Sequence, residues 1–541
     1  MAPSKSKKNG GCFTFFILTL LATGAGYYYG KNFLLGSELT LESSSQVIPQ
    51  SALANTFIST NQEQWAKLEE FSTPFTQEMI DKNWKKLVND NLGQQNQNID
   101  YQQDILPWLG GISFAVLPSS ESEINYDIVT ILGIKNKLKA NSFLQKIKQN
   151  NTEKPIETKY QNITIYQIDN NNNQIWVSVF NNYLVIAEEE KIIQKIIDTY
   201  KGGESLADVS SQNLPSQNGI LQVYLPDYNN WFLNIIKDTL PEINIENSAQ
   251  AQLGKIDSIT MNLSVENHGL KLSSLVNLSQ PVTFNPNIKP VSNNLLTKIP
   301  DNTICLVSGG GVNQIWQELN KEKQNIPELD LFISQAKIVT LQWLNLDLDK
   351  DIFSWLDGEF ALALLSPNNN QFSQGLNGLL LLESSNKTQG EATFKNIENA
   401  ARLFPFIQIN QNNIDGISIT EWSSPQEKLL SYGWVNNNNF LLTFSSNFQD
   451  IKNMEKSNSL SENNVFKIAT ESLPKTNYGY FYCNLEKAFS LAENLDDNLW
   501  DSSTLEFKAF ANSITAIAIT NSPVNNSTNQ VDLNISLSKN K

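Results

Sequence analysis

The chain has 541 residues, 40% of them apolar and 17% charged, with a formal net charge of −16 and a single histidine. That balance suits globular domains with enough apolar side chains for two cores, and it excludes a disordered polar chain. Setting aside the four lysines of the first 36 residues leaves a body near −20, a surface that repels phosphate backbones, so nucleic acid is excluded as a partner.

The chain opens with Lys5, Lys7 and Lys8, followed by an apolar run from Cys12 to Tyr29, and no acidic residue precedes Glu38. This pattern predicts a membrane-targeting segment whose N-terminus stays cytoplasmic. As a helix the 18-residue run would reach about 27 Å, close to the hydrocarbon thickness. Tyr27, Tyr28 and Tyr29 would then sit at the far interface, with Lys31 beyond them. The expectation is an N-terminal transmembrane helix within residues 1–36 that remains as a single-pass anchor; Thr23-Gly24-Ala25 serves the alternative, a cleaved signal peptide.

Beyond a linker at 37–50 the sequence repeats itself. Asn98–Gly111 reads NIDYQQDILPWLGG and Asn345–Gly358 reads NLDLDKDIFSWLDG, seven identities in fourteen positions. Other landmarks recur in the same order: Asn55-Thr56 then Trp65 against Asn302-Thr303 then Trp316, and Gly219 before a strand against Gly479. A repeat this long is a domain, not a solenoid unit. The expected organisation is repeat 1 over 51–280, a linker at 281–296, and repeat 2 over 297–541.

Within repeat 1, residues 127–134, 162–168, 175–179 and 183–187 read as antiparallel strands, and 141–149 and 191–200 as helices. Repeat 2 answers with strands at 378–382, 417–422, 430–435 and 440–444 and a helix at 391–403. Hairpins with interspersed helices argue an α+β class: two tandem domains, each a large curved antiparallel sheet with helices on one face.

The basic and apolar N-terminus, the two related halves, the stretch Trp355–Leu364 (WLDGEFALAL) and the opening Asp301–Gly310 (DNTICLVSGG) together resemble a cyanobacterial membrane-anchored family catalogued as domain of unknown function 3352. The resemblance covers essentially the whole body and brings no agreed catalytic residues. It implies a protein of the envelope or thylakoid, with the body in the periplasm or thylakoid lumen.

Chemistry is scarce. Asp347, Asp349 and Asp351 form an Asp-X-Asp-X-Asp run that could hold a metal, but an EF-hand loop would need Gly and Glu where Ile352 and Gly358 stand. The simpler reading is structural: Asp104 and Asp351 cap short helices, Trp108 and Trp355 anchor them, and Gly111 and Gly358 end them. Ser308–Gly311 lacks the lysine of a phosphate loop and reads as a turn. His268, without a second histidine, offers no relay or imidazole metal cluster. Cys305 and Cys483 are either two separate buried thiols or, in an oxidising compartment, a disulfide. No catalytic residue, no cofactor and no cofactor-binding residue stands out. The expected function is therefore a membrane-anchored, non-enzymatic binding or scaffold protein. It would meet the membrane through its N-terminal helix, and an unknown protein or lipid partner on the sheet faces or in a groove between the repeats. The alternative is an enzyme with a cleft site between them.

Overall fold

The computed structural model describes residues 37–71, 101–119, 126–148, 156–170, 173–210, 219–228, 254–279, 289–366, 377–444, 448, 458–495 and 511–539. The apolar run 12–29 lies outside them. Among the described residues, ten strands form the first copy: β1 (Ala54–Ile58), β2 (Leu109–Pro118), β3 (Tyr126–Ile134), β4 (Ile156–Tyr160), β5 (Ile163–Asn170), β6 (Asn173–Phe180), β7 (Tyr183–Ala187), β8 (Leu221–Leu225), β9 (Ile256–Glu266) and β10 (Gly269–Leu278). The second copy supplies β11 (Thr303–Gly310), β12 (Glu359–Leu365), β13 (Asn377–Glu383), β14 (Gln408–Ile414), β15 (Ile417–Ser423), β16 (Lys428–Trp434), β17 (Asn439–Phe444), β18 (Tyr480–Asn484), β19 (Ile514–Asn525) and β20 (Thr528–Leu537).

Every strand pairing of the first copy has its counterpart in the second. The order β4-β5-β6-β7-β3-β2-β1-β8-β9-β10 is antiparallel throughout. It is matched by β14-β15-β16-β17-β13-β12-β11-β18-β19-β20. Trp108 and Trp355 occupy equivalent places before β2 and β12, both are buried, and each indole donates to the carbonyl four residues earlier, Asp104 at 2.9 Å and Asp351 at 3.2 Å. The duplication is thus a structural fact.

The expectation of two separate sheets is corrected. β10 pairs with β20 from Gly269↔Ser536 to Asn277↔Thr528, so all twenty strands belong to one antiparallel sheet. Each copy alone would end in an edge strand with a row of unpaired amides and carbonyls, and the two equivalent edges satisfy each other. The junction is symmetric. Gly269 and Thr528 both follow two-residue hairpin turns, so β10 and β20 correspond position by position, and in the pairing Ser273 lies opposite its own counterpart, Asp532. Leu278 N donates to Ser527 O and Leu537 N to His268 O, each at 2.9 Å, as a local two-fold requires.

Helices on one face only is the second correction. Leu379 and Leu381 of β13 point into a cluster with Leu295, Leu296, Ile299 and Phe466. Leu380 and Leu382, on the opposite side, join Trp355, Phe394, Trp434 and Phe440. Side chains alternate across a strand, so both faces of this sheet are covered. In the first copy Val129 and Ile131 pack on the helix Glu190–Tyr200 through Ile192, Ile193, Ile196 and Ile197. Residues 37–50, read above as a linker, pack into the same core through Leu39, Leu41, Val47 and Ile48.

The third correction concerns the membrane. Among the described residues no helix is long and apolar enough to cross one. The described architecture thus shows no transmembrane helix, and the expected one, within residues 1–36, lies outside the described residues.

Candidate functional site

The repeated segment builds a turn rather than a metal loop. Asp347, not Asp351, is the cap: its Oδ1 accepts from the amides of Asp349 and Lys350, opening a π-type turn Leu348–Ile352. Asp351 Oδ2 accepts from Asp347 N at 2.7 Å. The expected cap is displaced by four residues because Asp347 has the extended backbone that lets a side chain reach the amides two and three residues on. Asp349 turns elsewhere, accepting from Trp316 Nε1 and Lys337 Nζ, each at 2.7 Å. Burial alone would raise its pKa, but the hydrogen bonds from Lys337 and Trp316 and the lysine charge outweigh burial and hold the carboxyl below its usual range. The three carboxylates thus serve separate sets of donors, and among the described residues no cluster of metal-ligating type occurs.

In the first copy Asp104 lies at the end of the matching turn, Tyr101–Ile105. Gly111 has φ +128°, and a Cβ there would meet the Phe57 ring at 2.7 Å. At Gly358 a Cβ would meet Glu383 O at 2.4 Å, so close approach of β13, rather than a helix-ending conformation, selects glycine. Cys305 and Cys483 face each other in β11 and β18 and are joined as a disulfide. His268 sits in the turn between β9 and β10, its Nε2 3.6 Å from Glu471.

What the Asp349 contacts position is a helix. We number two helices of the second copy α1 (Val312–Glu322) and α2 (Pro327–Leu344). Pro327 stands in the first turn of α2, where its missing amide costs nothing, and Asn345 ends it in the left-handed conformation. Ile333, fully buried, packs with Trp316 of α1 and Leu348; Trp316 stacks on Phe353 with centroids 4.0 Å apart. Lys337 Nζ also bonds Asn320 Oδ1 and lies 5.9 Å from the Trp316 ring centroid. The inner face of α2 is therefore held by a small core and by the Trp316–Asp349–Lys337 network.

The outer face is the surprise. Leu331, Phe332, Ile338, Val339, Leu341 and Trp343 are each more than half exposed, Trp343 the most at 68%. At 100° per residue these six spread over about 200° of the helix surface. Lys337 is the only charged residue between Leu331 and Leu344, and it is turned inward. Single exposed apolar residues need no explanation, whereas six on one helix amount to roughly 600 Å², the size of patch that marks an interaction site. Leu403, Phe404 and Phe406 are exposed just beyond the helix Lys387–Ala401, which α2 contacts.

Two buried polar groups elsewhere, Tyr432 and Asp532, are engaged by neighbours. Tyr432 donates to Glu398 Oε1 at 2.6 Å, and burial, reinforced by that carboxylate, pushes its phenol well above the ordinary range. At the seam Asp532 accepts from Ser273 Oγ at 2.5 Å and Gln530 Nε2 at 2.8 Å, with Lys271 Nζ at 3.4 Å. β10 and β20 are hydrogen-bonded along their lengths, so no groove separates the two copies there.

A model of the family described as protein of unknown function (DUF3352) matches residues 13–537. The chain belongs to that family. No curated protein matches this DUF3352 protein. Among solved structures, crystal forms IV, III and I of TP0453 match at 10%, 10% and 11% identity. They cover 44%, 46% and 45% of this chain and 81%, 84% and 80% of their own, with TM-scores of 0.25, 0.25 and 0.24. Likeness at that level carries no argument about fold or function.

Proposed function

We propose that this DUF3352 protein is a non-catalytic binding or scaffold protein whose working surface is the apolar outer face of α2 between Leu331 and Trp343. One observation carries the reading: the described carboxylates with sequence motifs around them are engaged in caps and ion pairs, while α2 leaves six large apolar side chains in water. The duplicated sheet is then a rigid platform. Its twenty strands, the Cys305–Cys483 bond and the seam at Ser273 and Asp532 hold the second copy's helices in fixed positions. The disulfide supports residence in an oxidising compartment such as a periplasm or thylakoid lumen.

The test is apolar-probe binding by the purified full chain. A fluorescent hydrophobic dye should bind saturably, and the Phe332→Ser/Trp343→Ser variant should lose most of that binding while keeping its melting transition. Equal dye binding by the variant, or turnover of any substrate that is lost on changing one of its carboxylates, would overturn the reading.

A further inference from the structure

We infer that the outer face of α2 docks on the surface of an uncharged lipid bilayer, with the helix lying along the interface. This rests on the reading of that face as the working surface and names its occupant.

Three properties of α2 select a bilayer. The first is shape. A partner helix covers a stripe about 100° wide, so it would leave roughly half of the 200° arc from Leu341 through Leu331 and Ile338 to Trp343 in water. A bilayer interface receives the whole arc, and a helix lying in it buries its face about 5–10 Å deep. The second is area. Two copies meeting through α2 alone would bury roughly 1,200 Å², the lower limit of a specific interface, with every side chain fully matched. The third is charge. Helices that bind anionic lipid carry Lys or Arg on their polar flanks, but here the one cation of this stretch, Lys337, is committed to Asp349 and packed beside Trp316. Together with an overall charge of −16, that makes an anionic surface a poor partner and a neutral one suitable. Among the described residues no helix, α2 included, is long and apolar enough to cross a membrane, and Gln335 and Gln342, exposed between the apolar residues, suit α2 to the headgroup boundary.

The experiment places an environment-sensitive fluorophore on the full-length protein. Cys12→Ser removes the one cysteine outside the disulfide, and Ile338→Cys carries the probe; Val339→Cys is a second site should the first variant fail to fold. Gln411→Cys, on exposed β14, is the reference position. With phosphatidylcholine vesicles, quenching by acyl-chain-labelled lipid should be roughly threefold stronger at 338 or 339 than at 411, and adding phosphatidylglycerol should not increase it. Equal quenching at all positions would overturn the proposal, because the apolar N-terminal run would then account for all association. So would quenching that requires the anionic lipid, or a lipid-free blue shift at 338 that grows with protein concentration, which would assign the face to a second copy. Dye binding at α2 without lipid quenching would reject the bilayer and leave the binding reading standing.

Discussion

Ser273 and Asp532 are the same position in the two copies, and they meet at the centre of the junction, where the serine hydroxyl donates to the carboxylate at 2.5 Å. A two-fold between identical copies would place two like side chains face to face. Two aspartates there would repel, and two serines would leave Lys271 without a counter-ion. Divergence to Ser on one side and Asp on the other resolves both: Asp532, fully buried, takes Ser273, Gln530 and Lys271, while Lys271 also donates to Ser472 O at 2.7 Å.

Removing the acid should therefore cost more than removing its neighbour. Asp532→Ala leaves a largely buried ammonium without its carboxylate and is expected to lower unfolding free energy by about 3 kcal/mol. Ser273→Ala removes one charge-assisted hydrogen bond and should cost about 1.5 kcal/mol. The paired change Lys271→Met/Asp532→Leu should recover most of the Asp532→Ala loss. Urea denaturation of the three variants checks the order, and a double variant no better than Asp532→Ala would show that the seam does not depend on this ion pair.

Acid should loosen α2 through Asp349. Its carboxyl is depressed in the folded chain, so its contribution to stability is fully present above the ordinary Asp value of about 4 and is lost as pH falls through the lower folded value. Asp349→Asn removes that dependence. The melting temperatures of wild type and variant should differ near about pH 6 and converge near about pH 2; a gap that persists undiminished at low pH would place the effect in packing rather than charge.

Much of the scaffold was legible in the sequence. The Asn98–Gly111 and Asn345–Gly358 repeat announced the duplication, and alternation located β3, β5, β6, β7 and their second-copy counterparts within a few residues. The junction was not legible, because β20 reverses the usual pattern. Its polar residues Asp532, Asn534 and Ser536 are buried while Val531, Leu533 and Ile535 are only partly so. The polar face is covered by the helix Asn464–Thr470, whose Ala469 carbonyl accepts from Asn534 Nδ2 at 2.8 Å. α2 escaped for another reason. Its apolar residues fall all round the helix, at 329, 331, 332, 333, 336, 338, 339, 341, 343 and 344, so no single-face period stands out. That absence of one-sided periodicity was the available signal of a second, outward apolar face.

The disulfide should stabilise the second copy. Cys305 and Cys483 are 178 residues apart in sequence, and closing so long a loop constrains the unfolded chain, so Cys305→Ser/Cys483→Ser is expected to lose about 2–4 kcal/mol. Urea midpoints with and without reductant test this. Wild type should shift toward the variant on reduction, and the variant should not respond; a reductant-independent midpoint for wild type would contradict the bond's contribution.

Gly390 offers a case in which two effects oppose each other. It lies within the helix Lys387–Ala401, where alanine would normally be favoured over glycine by about 1 kcal/mol. Here a Cβ would stand 2.7 Å from Trp434 Cζ2 and 3.2 Å from Trp355 Cε3. Both indoles belong to a cluster with Phe394 and Phe440, with ring centroids 4.5 to 6.2 Å apart, so neither can swing away without disturbing the others. Forcing a methyl into such a core costs about 1–3 kcal/mol, which exceeds the propensity gain. Gly390→Ala should accordingly destabilise by about 1 kcal/mol, and Gly390→Val by more, since a branched side chain adds volume and loses helix propensity together. Near-ultraviolet circular dichroism should report the disturbed indoles in both variants. A Gly390→Ala protein that melts higher than wild type would mean that the Trp355–Trp434 contact yields and that helix propensity governs this position.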